Sequence, residues 1–351
     1  AASARAAPGC SLPDPARPTE ITAISNSFPL LQFLTAEMRA CSGGNLRIES
    51  RLTADNLPQT RVALAAGGTT PFQIVQVSNT SFTEFVNRGQ LQPIDDLVAR
   101  HRAAYALDDI PAGLWEEASF EGKIHALPFQ TNMHLLFYRK DLFDKHGIAV
   151  PATVEQMIAA ARTLKEKESG MEHPLANIFG RGWNVATEFG NYYQSQGGTW
   201  LDDKAQPVFN DARGVRAVEL MKEMLPYMSP NAIAFTGDDV MVAFQQGRSA
   251  LGVVWASRAA NMDAPDVSRV QGLFQFAPAP AAVAGGLPSS ALWWDAWALP
   301  ARIAPDRELV FRVAAAGTTA EVMRKGGGLG AWSRRSVIGD PALVAQNRHW
   351  P

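Results

Sequence analysis

The segment WWDAW, from Trp293 to Trp297, places one acid among three indole rings. Alternate side chains of a strand point to one face, so Trp293, Asp295 and Trp297 share a face and Trp294 takes the other. A carboxylate is costly inside an apolar core unless something hydrogen-bonds it. A ligand hydroxyl would do so, while an indole covers the ligand's carbon skeleton. The segment therefore predicts a binding strand for a hydroxyl-rich molecule, with Asp295 accepting two hydroxyls.

Aromatic residues recur beside the loops and strand ends that the hydrophobic pattern predicts. Aromatic faces suit sugar rings and polyol chains, whose C–H bonds form an apolar surface, and planar polar groups suit their hydroxyls. Any one tryptophan is as readily a core residue as a ligand contact, but the cluster favours binding. The planar candidates are Asn132, Glu188 and Arg334, and the aromatic candidates are Phe28, Trp183, Trp255, Trp293, Trp297 and Trp332.

Strands and helices alternate in the part of the chain that must position these residues. The runs ITAIS, LRIESRL and FQIVQVS are rich in β-formers, and helical apolar patterns separate them. This alternation predicts a parallel sheet with helices on both faces, and ligands of such sheets bind beyond the carboxyl ends of the strands. Two of these ends carry small polar residues, which suit a ligand but equally suit turns and helix caps. They are Asn26 and Ser27 after the first strand, and Ser78 and Asn79 after the third.

The rest of the chain repeats the alternation. Thr153 or a neighbour is expected to cap a long helix, and the lysines near Lys165 and Lys167 favour its C-terminal end. A further strand is expected to end at Trp255, and strand and helix follow again after Pro278. We find no repeat of fixed period and no low-complexity segment.

Length and charge narrow the class of protein. The chain has 351 residues, more than one hydrophobic core usually organises, so two domains are expected. Lysine plus arginine number 32 and aspartate plus glutamate 34, a balance that argues against binding nucleic acid or an anionic membrane surface. The alanine-rich start resembles a mature chain whose signal peptide has been removed, although a chain cut at an arbitrary point would look the same.

The two cysteines, Cys10 and Cys41, are either separate thiols or a disulfide. We favour the disulfide because Cys10 lies in a proline-rich arm with nothing else to anchor it. A bridge closing that loop would contribute roughly 3–4 kcal/mol in the chain-entropy model. It would also indicate an oxidising compartment.

Catalytic signatures are largely absent from the sequence. It contains neither a phosphate-binding G-x-x-x-x-G-K-[ST] motif nor a G-x-S-x-G elbow, and the run GGGLGA follows a predicted helix, where a dinucleotide site would need a strand. The histidines do not pair with one another or with cysteine at zinc-ligand spacing. We therefore expect no cofactor, no metal and no enzymatic activity.

The order of several segments resembles the maltose-binding-protein-like group of bacterial ABC-transporter extracellular solute-binding proteins, family 1. The most specific stretch is GKIHALPFQTNMHLLFYRKDLFDKHGIAVPATVEQM; GQLQPIDDL precedes it, and GGTWLDDKAQPVFND and AFQQGRSALGVVW follow it in the family's order. The match closes with WALPA and GGLGAWSRRSVIGDPAL. It extends from Ile21 to Leu343, and it rests on the ordered set rather than on any one piece.

The resemblance implies a two-lobed α/β periplasmic-binding-protein fold, each lobe a mostly parallel sheet flanked by helices, with ligand held in the cleft and hinge closure on binding. It implies crossovers near Leu127–Pro128, Ala277–Pro280 and Gly327–Ala331. The expected lobes are residues 1–128 with 279–328 and residues 129–278 with 329–351. A monomer of this kind would deliver a sugar or sugar alcohol to an ABC permease, in the periplasm or at the outer cell surface.

Two departures from the family pattern bear on the ligand. Asp295 stands where the family often has a stacking tryptophan, and family chains usually continue for several helices beyond the segment SVIGDPAL. Two other functions stay open at this stage. The aromatic residues and Asp295 could hold a cationic amine through cation–π contact, and dispersed carboxylates could form a carbohydrate-active enzyme.

Overall fold

The computed structural model describes residues 10–346, which form two compact units. The first unit comprises residues 10–131 and 293–346, and the second comprises residues 132–292. Within residues 10–346, no helix combines the length and the apolar character that a membrane crossing needs.

The helices and strands follow the expected alternation. Before the first crossing between units the chain forms β1 (Thr19–Ser25), α1 (Pro29–Arg39), β2 (Leu46–Leu52), α2 (Asn56–Ala65), β3 (Ile74–Ser78), α3 (Phe82–Asn87), α4 (Asp95–His101), α5 (Ala112–Glu117), β4 (Ser119–Phe120), β5 (Lys123–Ile124) and β6 (Ala126–Asn132). The second unit then forms β7 (His134–Arg139), α6 (Lys140–His146), α7 (Val154–Lys167), α8 (Trp183–Ser195), α9 (Ala212–Met224), α10 (Gly237–Gln245), β8 (Leu251–Trp255) and β9 (Phe274–Pro278). After the return come β10 (Trp293–Ala298), α11 (Arg307–Ala316), α12 (Ala320–Gly326), β11 (Ala331–Trp332), α13 (Arg335–Ile338) and α14 (Pro341–Gln346). Short 3₁₀ helices span Leu107–Asp109, Leu225–Tyr227, Ala232–Ala234, Ala256–Asp263 and Gly327–Leu329.

The first unit is built on a sheet with the strand order β11-β6-β10-β3-β1-β2, and β4 and β5 form a separate hairpin. β1 runs parallel to β2 and β3, as the strand and helix alternation predicted. β10 joins β3 antiparallel, and β11 joins β6 antiparallel. Apolar residues of the strands and of the surrounding helices form one core, which also contains Trp294, Trp297 and Trp332.

The second unit is built on a sheet with the strand order β8-β7-β9, and both outer strands are antiparallel to β7. The expectation of a mostly parallel sheet is therefore wrong for this unit. Alternation of strand and helix does not determine whether neighbouring strands are parallel. After the helices α6 to α10, β8 lies beside β7 and runs antiparallel to it. Along β7, Leu136 packs into one core cluster while Leu135 and Phe137 pack into another, as the strand period requires.

The boundaries of the units differ from the expected lobes. Residues 279–292 belong to the second unit, where Ala281 bridges Thr153 and the backbone N–H of Leu287 donates to Ser195 O. Residues 329–346 belong to the first unit because β11 pairs with β6. Residues 1–9 and 347–351, to which the expected lobes also extended, lie outside the described residues.

Two local expectations have direct counterparts in the structure. Thr153 caps α7 in a capping box, its hydroxyl accepting from the Gln156 N–H while the Gln156 side chain accepts from the Thr153 N–H. Cys10 and Cys41 form a disulfide that ties the arm before β1 to the end of α1.

We expect the unreduced protein to contain no titratable thiol after denaturation, because Cys10 and Cys41 are its only cysteines. Thiol titration in denaturant measures this directly, and the same sample after reduction should yield two thiols per chain. Two thiols before reduction would contradict the bridge.

Candidate functional site

Asp295 lies within the sheet of the first unit and is 2% exposed. Its carboxylate accepts hydrogen bonds from Gln76 Nε2 at 2.7 Å, from Trp293 Nε1 at 3.0 Å and from Gln130 Nε2. Burial raises the pKa of Asp295, and the three hydrogen bonds oppose that rise. A ligand hydroxyl is therefore not needed to satisfy this carboxylate, because side chains of the protein already hydrogen-bond it.

The hydrogen bonds continue sideways across the sheet. Gln76 Oε1 accepts from the Asn26 backbone N–H at 2.8 Å and from Asn56 Nδ2 at 3.3 Å. Gln130 Oε1 is buried without a hydrogen-bond partner. Side chains from β6, β10 and β3 thus form a ladder that ends at the tip of β1. The sequence interpretation missed both glutamines, although a glutamine inside an apolar run such as FQIVQVS is a detectable signal of a buried polar network.

Two of the predicted stacking tryptophans belong to the core. Trp297 is fully buried against Phe129, with ring centroids 4.7 Å apart, and Trp332 is buried with its indole N–H donating to Gly327 O. Trp294, on the other face of β10, packs edge-on against Phe82. Both faces of this strand are covered, so the alternation of side chains leaves no open face at Trp297.

Arg334 was predicted to bind ligand hydroxyls, and the structure corrects this. The side chain is buried in the first unit, where its Nε donates to Thr318 O and its Nη1 to Ala106 O, both at 2.8 Å. Burial lowers the pKa of the guanidinium. Arg334 therefore donates hydrogen bonds to backbone carbonyls of the first unit rather than to a ligand.

The polar strand ends largely follow turn chemistry. The Ser78 N–H donates to Ser81 Oγ at 3.1 Å, the Ser78 hydroxyl pairs with that of Thr80 at 3.0 Å, and Ser27 Oγ accepts from Gln32 at 3.3 Å. Ser78 is buried. The candidates of the first unit that keep exposed or half-buried side chains are Asn26, Ser27, Phe28, Asn79 and Trp293.

The second unit presents a stack of three rings. Trp183, the first residue of α8, lies nearly parallel to Trp255 at the end of β8, with ring centroids 6.2 Å apart and planes 13° apart. The ring of His134, the first residue of β7, lies 3.7 Å from that of Trp255. Trp183 is 49% exposed. The stack therefore combines an exposed indole, Trp183, with Trp255 and a buried imidazole.

His134 is neutral, and the structure defines its tautomer. The Ala291 N–H donates to Asn191 Oδ1 at 3.0 Å, which turns Asn191 Nδ2 toward His134 Nδ1 at 3.3 Å. His134 Nδ1 is then the acceptor, and Nε2 carries the proton. Burial lowers the pKa of His134 to about 3. No sequence signal marked this residue, because a lone histidine inside an apolar strand is typical of a core position.

Asn132 and Glu188 are both committed to contacts within the second unit. Asn132 Nδ2 donates to Ser257 Oγ at 3.0 Å, and its Oδ1 accepts from the N–H groups of Met133 and Ser257. Glu188 is 1% exposed and accepts from the Tyr192 hydroxyl at 2.9 Å. The prediction that these two side chains present planar groups to a ligand is corrected for Glu188, whose carboxyl group is enclosed.

A cavity of about 600 Å³ opens in the second unit beside this stack. Its wall is mostly apolar, and His134 belongs to both the wall and the stack. Among the other lining residues are Met133, Asn191, Pro278, Leu287 and Leu292. Within residues 10–346, no group of three or more histidine, cysteine or acidic side chains is arranged to hold a metal ion.

The model of the bacterial extracellular solute-binding protein family matches residues 39–305, well over half of the chain. The chain belongs to this family, a family of binding proteins, which confirms the resemblance seen in the sequence. The mannitol-binding protein of Pseudomonas aeruginosa is 28% identical over 216 residues, 60% of this chain and 48% of that protein. The chain spans about half the length of the curated relatives it matches.

Solved structures share the fold over nearly the whole chain. An ABC transporter solute-binding protein from Agrobacterium radiobacter, in complex with ribitol, has a TM-score of 0.82 at 25% identity and covers 95% of this chain and 84% of that one. Maltose-bound MalE3 of T. maritima has a TM-score of 0.81 at 20% identity, covering 93% and 84%. These neighbours confirm the binding-protein fold.

Proposed function

We propose that this protein is the substrate-binding component of an ABC importer and captures a sugar alcohol or a sugar. It would act as a monomer in the periplasm or at the outer cell surface and deliver its ligand to permease subunits. Family membership, the mannitol-binding relative and the ribitol-bound neighbour support the choice of ligand class.

The observation that carries the proposal is the stacking of Trp183 on Trp255, whose ring also contacts the neutral His134. A flat, uncharged aromatic face offers dispersion contacts to the C–H side of a polyol chain. The imidazole is neutral because of its burial, so it adds no charge to the stack. Asn26, Ser27, Phe28, Asn79, Asp295 and Trp293 stay predictions as ligand contacts from the first unit.

A thermal-shift panel of ribitol, mannitol, maltose and a quaternary amine tests the ligand class. Ligand at about 100 times its Kd should stabilise the protein by roughly 2.7 kcal/mol. A shift with polyols or sugars supports the proposal, whereas a shift with the amine alone would replace it by a cation-binding function. Product analysis after incubation with maltose completes the test, because turnover would mean an enzyme.

Replacing Trp183 with alanine should weaken ligand binding roughly tenfold, which corresponds to about 1.4 kcal/mol. The ligand to use is the polyol that stabilises the wild type in the thermal-shift panel. The free energy of unfolding should change by less than about 1 kcal/mol, because half of the indole is already exposed. Isothermal titration calorimetry measures the affinity and urea unfolding the stability. Trp183→Phe keeps a smaller flat face and should fall between the two; unchanged affinity in Trp183→Ala would remove the stack from the binding site.

A further inference from the structure

A directional chain of hydrogen bonds joins the two elements that carry the stacked tryptophans. The Val253 N–H of β8 donates to Asn177 Oδ1 at 2.9 Å, and Asn177 Nδ2 donates to Tyr192 Oη at 2.9 Å. The Tyr192 hydroxyl then donates to Glu188 Oε2 at 2.9 Å. Glu188 and Tyr192 lie on α8. We call this chain, from Val253 through Asn177 and Tyr192 to Glu188, the relay.

Each direction in the relay follows from the group before it. A backbone N–H can only donate, so Asn177 must turn its oxygen toward Val253 and its NH₂ toward Tyr192. The tyrosine oxygen accepts that bond, and its proton therefore goes to Glu188. Asn177, Tyr192 and Glu188 are all buried. Each link would leave a buried polar group unpaired if it broke, and such groups are expensive in a protein interior.

The relay joins α8 and β8 a few residues from both stacked tryptophans. Val253 lies two residues before Trp255 on β8, and Glu188 lies five residues after Trp183 on α8, about 7.5 Å along the helix axis. No side chain caps the start of α8, and Gly182 precedes Trp183 with a φ of 82°, a conformation suited to glycine. Backbone hydrogen bonds from Gly180 to Phe235 O and from Arg181 to Ile233 O hold the chain before α8, and buried contacts position the helix beyond that point.

We propose that the relay positions Trp183 against Trp255 and that it does so only while the Glu188 carboxyl group is neutral. Glu188 is thereby a positioning residue that acts through α8. Glu188 Oε1 is enclosed without a hydrogen-bond partner, so an ionised carboxylate would leave one charged oxygen unsatisfied. The inference deepens the proposed function, because it makes the binding face dependent on pH.

The surroundings of Glu188 favour the neutral form. Burial raises the pKa of Glu188 to about 8, and the hydrogen bonds from Tyr192 and Asn177 oppose the rise. Burial also raises the pKa of Tyr192 well above its ordinary value. From α9 the relay meets the Met224 sulfur, 3.8 Å from both Tyr192 Oη and Asn177 Nδ2, and from β8 it meets a backbone N–H. His134 of β7 reaches α8 through Asn191 and is neutral.

The test measures the stacking of Trp183 and Trp255 in ligand-free protein, so its result does not depend on whether polyols bind. Stacked indoles couple their transitions and give an exciton couplet in circular dichroism, which the difference between wild type and Trp183→Phe isolates. The couplet of the wild type should fall by about half near pH 8 and stay constant in Glu188→Gln, which keeps the acceptor but cannot ionise. Tyr192→Phe should show a weak couplet at every pH at which its backbone signal remains native.

A couplet that titrates identically in wild type and Glu188→Gln would overturn the inference, as would a full couplet in Tyr192→Phe. If Glu188→Gln does not fold, a wild-type couplet unchanged between about pH 6 and about pH 10 would also overturn it. For the ligand that the wild type binds, affinity should fall about tenfold between about pH 7 and about pH 9, because the competent fraction falls as Glu188 loses its proton. If neither the polyols nor maltose binds, the proposed function is refuted and the couplet result stays intact.

Discussion

Replacing Asp295 with alanine is expected to lower the free energy of unfolding by about 3 kcal/mol or more. The change removes the shared acceptor of Gln76, Gln130 and Trp293, which leaves the two glutamine donors enclosed in the sheet and the half-buried Trp293 N–H without this acceptor. Each buried donor without an acceptor costs about 1–3 kcal/mol. We expect a total loss near the lower end of the summed range, because burying the Asp295 carboxylate is itself unfavourable, as its raised pKa indicates. Urea unfolding followed by circular dichroism measures the loss.

Asp295→Asn is the matched control, with an expected loss of about 1 kcal/mol. The remaining oxygen can still accept from Gln76, and Gln130 can rotate its amide so that its Oε1, which has no partner, accepts from the new NH₂ group. The Trp293 N–H then lacks an acceptor, and the rotated Gln130 NH₂ group occupies the enclosed position where Oε1 had no partner, a cost that the removal of a buried charge partly offsets. Equal losses in the two variants would mean that charge matters rather than hydrogen-bond acceptance, and no loss in Asp295→Ala would show that the ladder contributes nothing to stability.

The strands and helices were predictable because their signals are local. Apolar spacing placed β1, β2 and β3 close to their observed bounds, and Thr153 was recognisable as a cap. Strand direction in the second unit was not predictable, since no local signal tells whether β8 returns parallel or antiparallel to β7. The location of residues 329–346 depended on the pairing of β11 with β6, two segments far apart in sequence.

The candidate site was harder because its residues depend on distant neighbours. The alternation in WWDAW correctly placed the Trp293 indole beside Asp295, but it could not show that Phe129 covers Trp297. His134 is one apolar-strand histidine by sequence, and it became part of the site only through the ring of Trp255. Trp183 and Trp255 were predicted as aromatic contacts, and the structure brings them together in one stack.

Replacing Glu188 with glutamine is expected to stabilise the protein increasingly as the pH rises. The folded-state pKa of Glu188 is about 8 and the ordinary value is 4.5, so between these values the folded state binds a proton that the unfolded state lacks. The wild type therefore loses stability as the pH rises through this window, by about 1.4 kcal/mol per pH unit, and the loss is complete above the folded pKa. The variant has no such proton, so the difference in unfolding free energy should reach roughly 3 kcal/mol near pH 7.

Taking the difference between variant and wild type separates the effect of Glu188 from that of His134, another buried group of the second unit whose pKa is shifted. The folded-state pKa of His134 is about 3, below its ordinary value of 6.5, so His134 makes the protein lose stability as the pH falls through that range. Both proteins contain His134, and its effect cancels. Urea unfolding at a series of pH values gives the slope of this free-energy difference against pH. Any hydrogen-bonding cost of the new amide is independent of pH and therefore does not contribute to the slope. A flat difference for Glu188→Gln would mean that the buried carboxyl group ionises as readily in the folded chain as in the unfolded one.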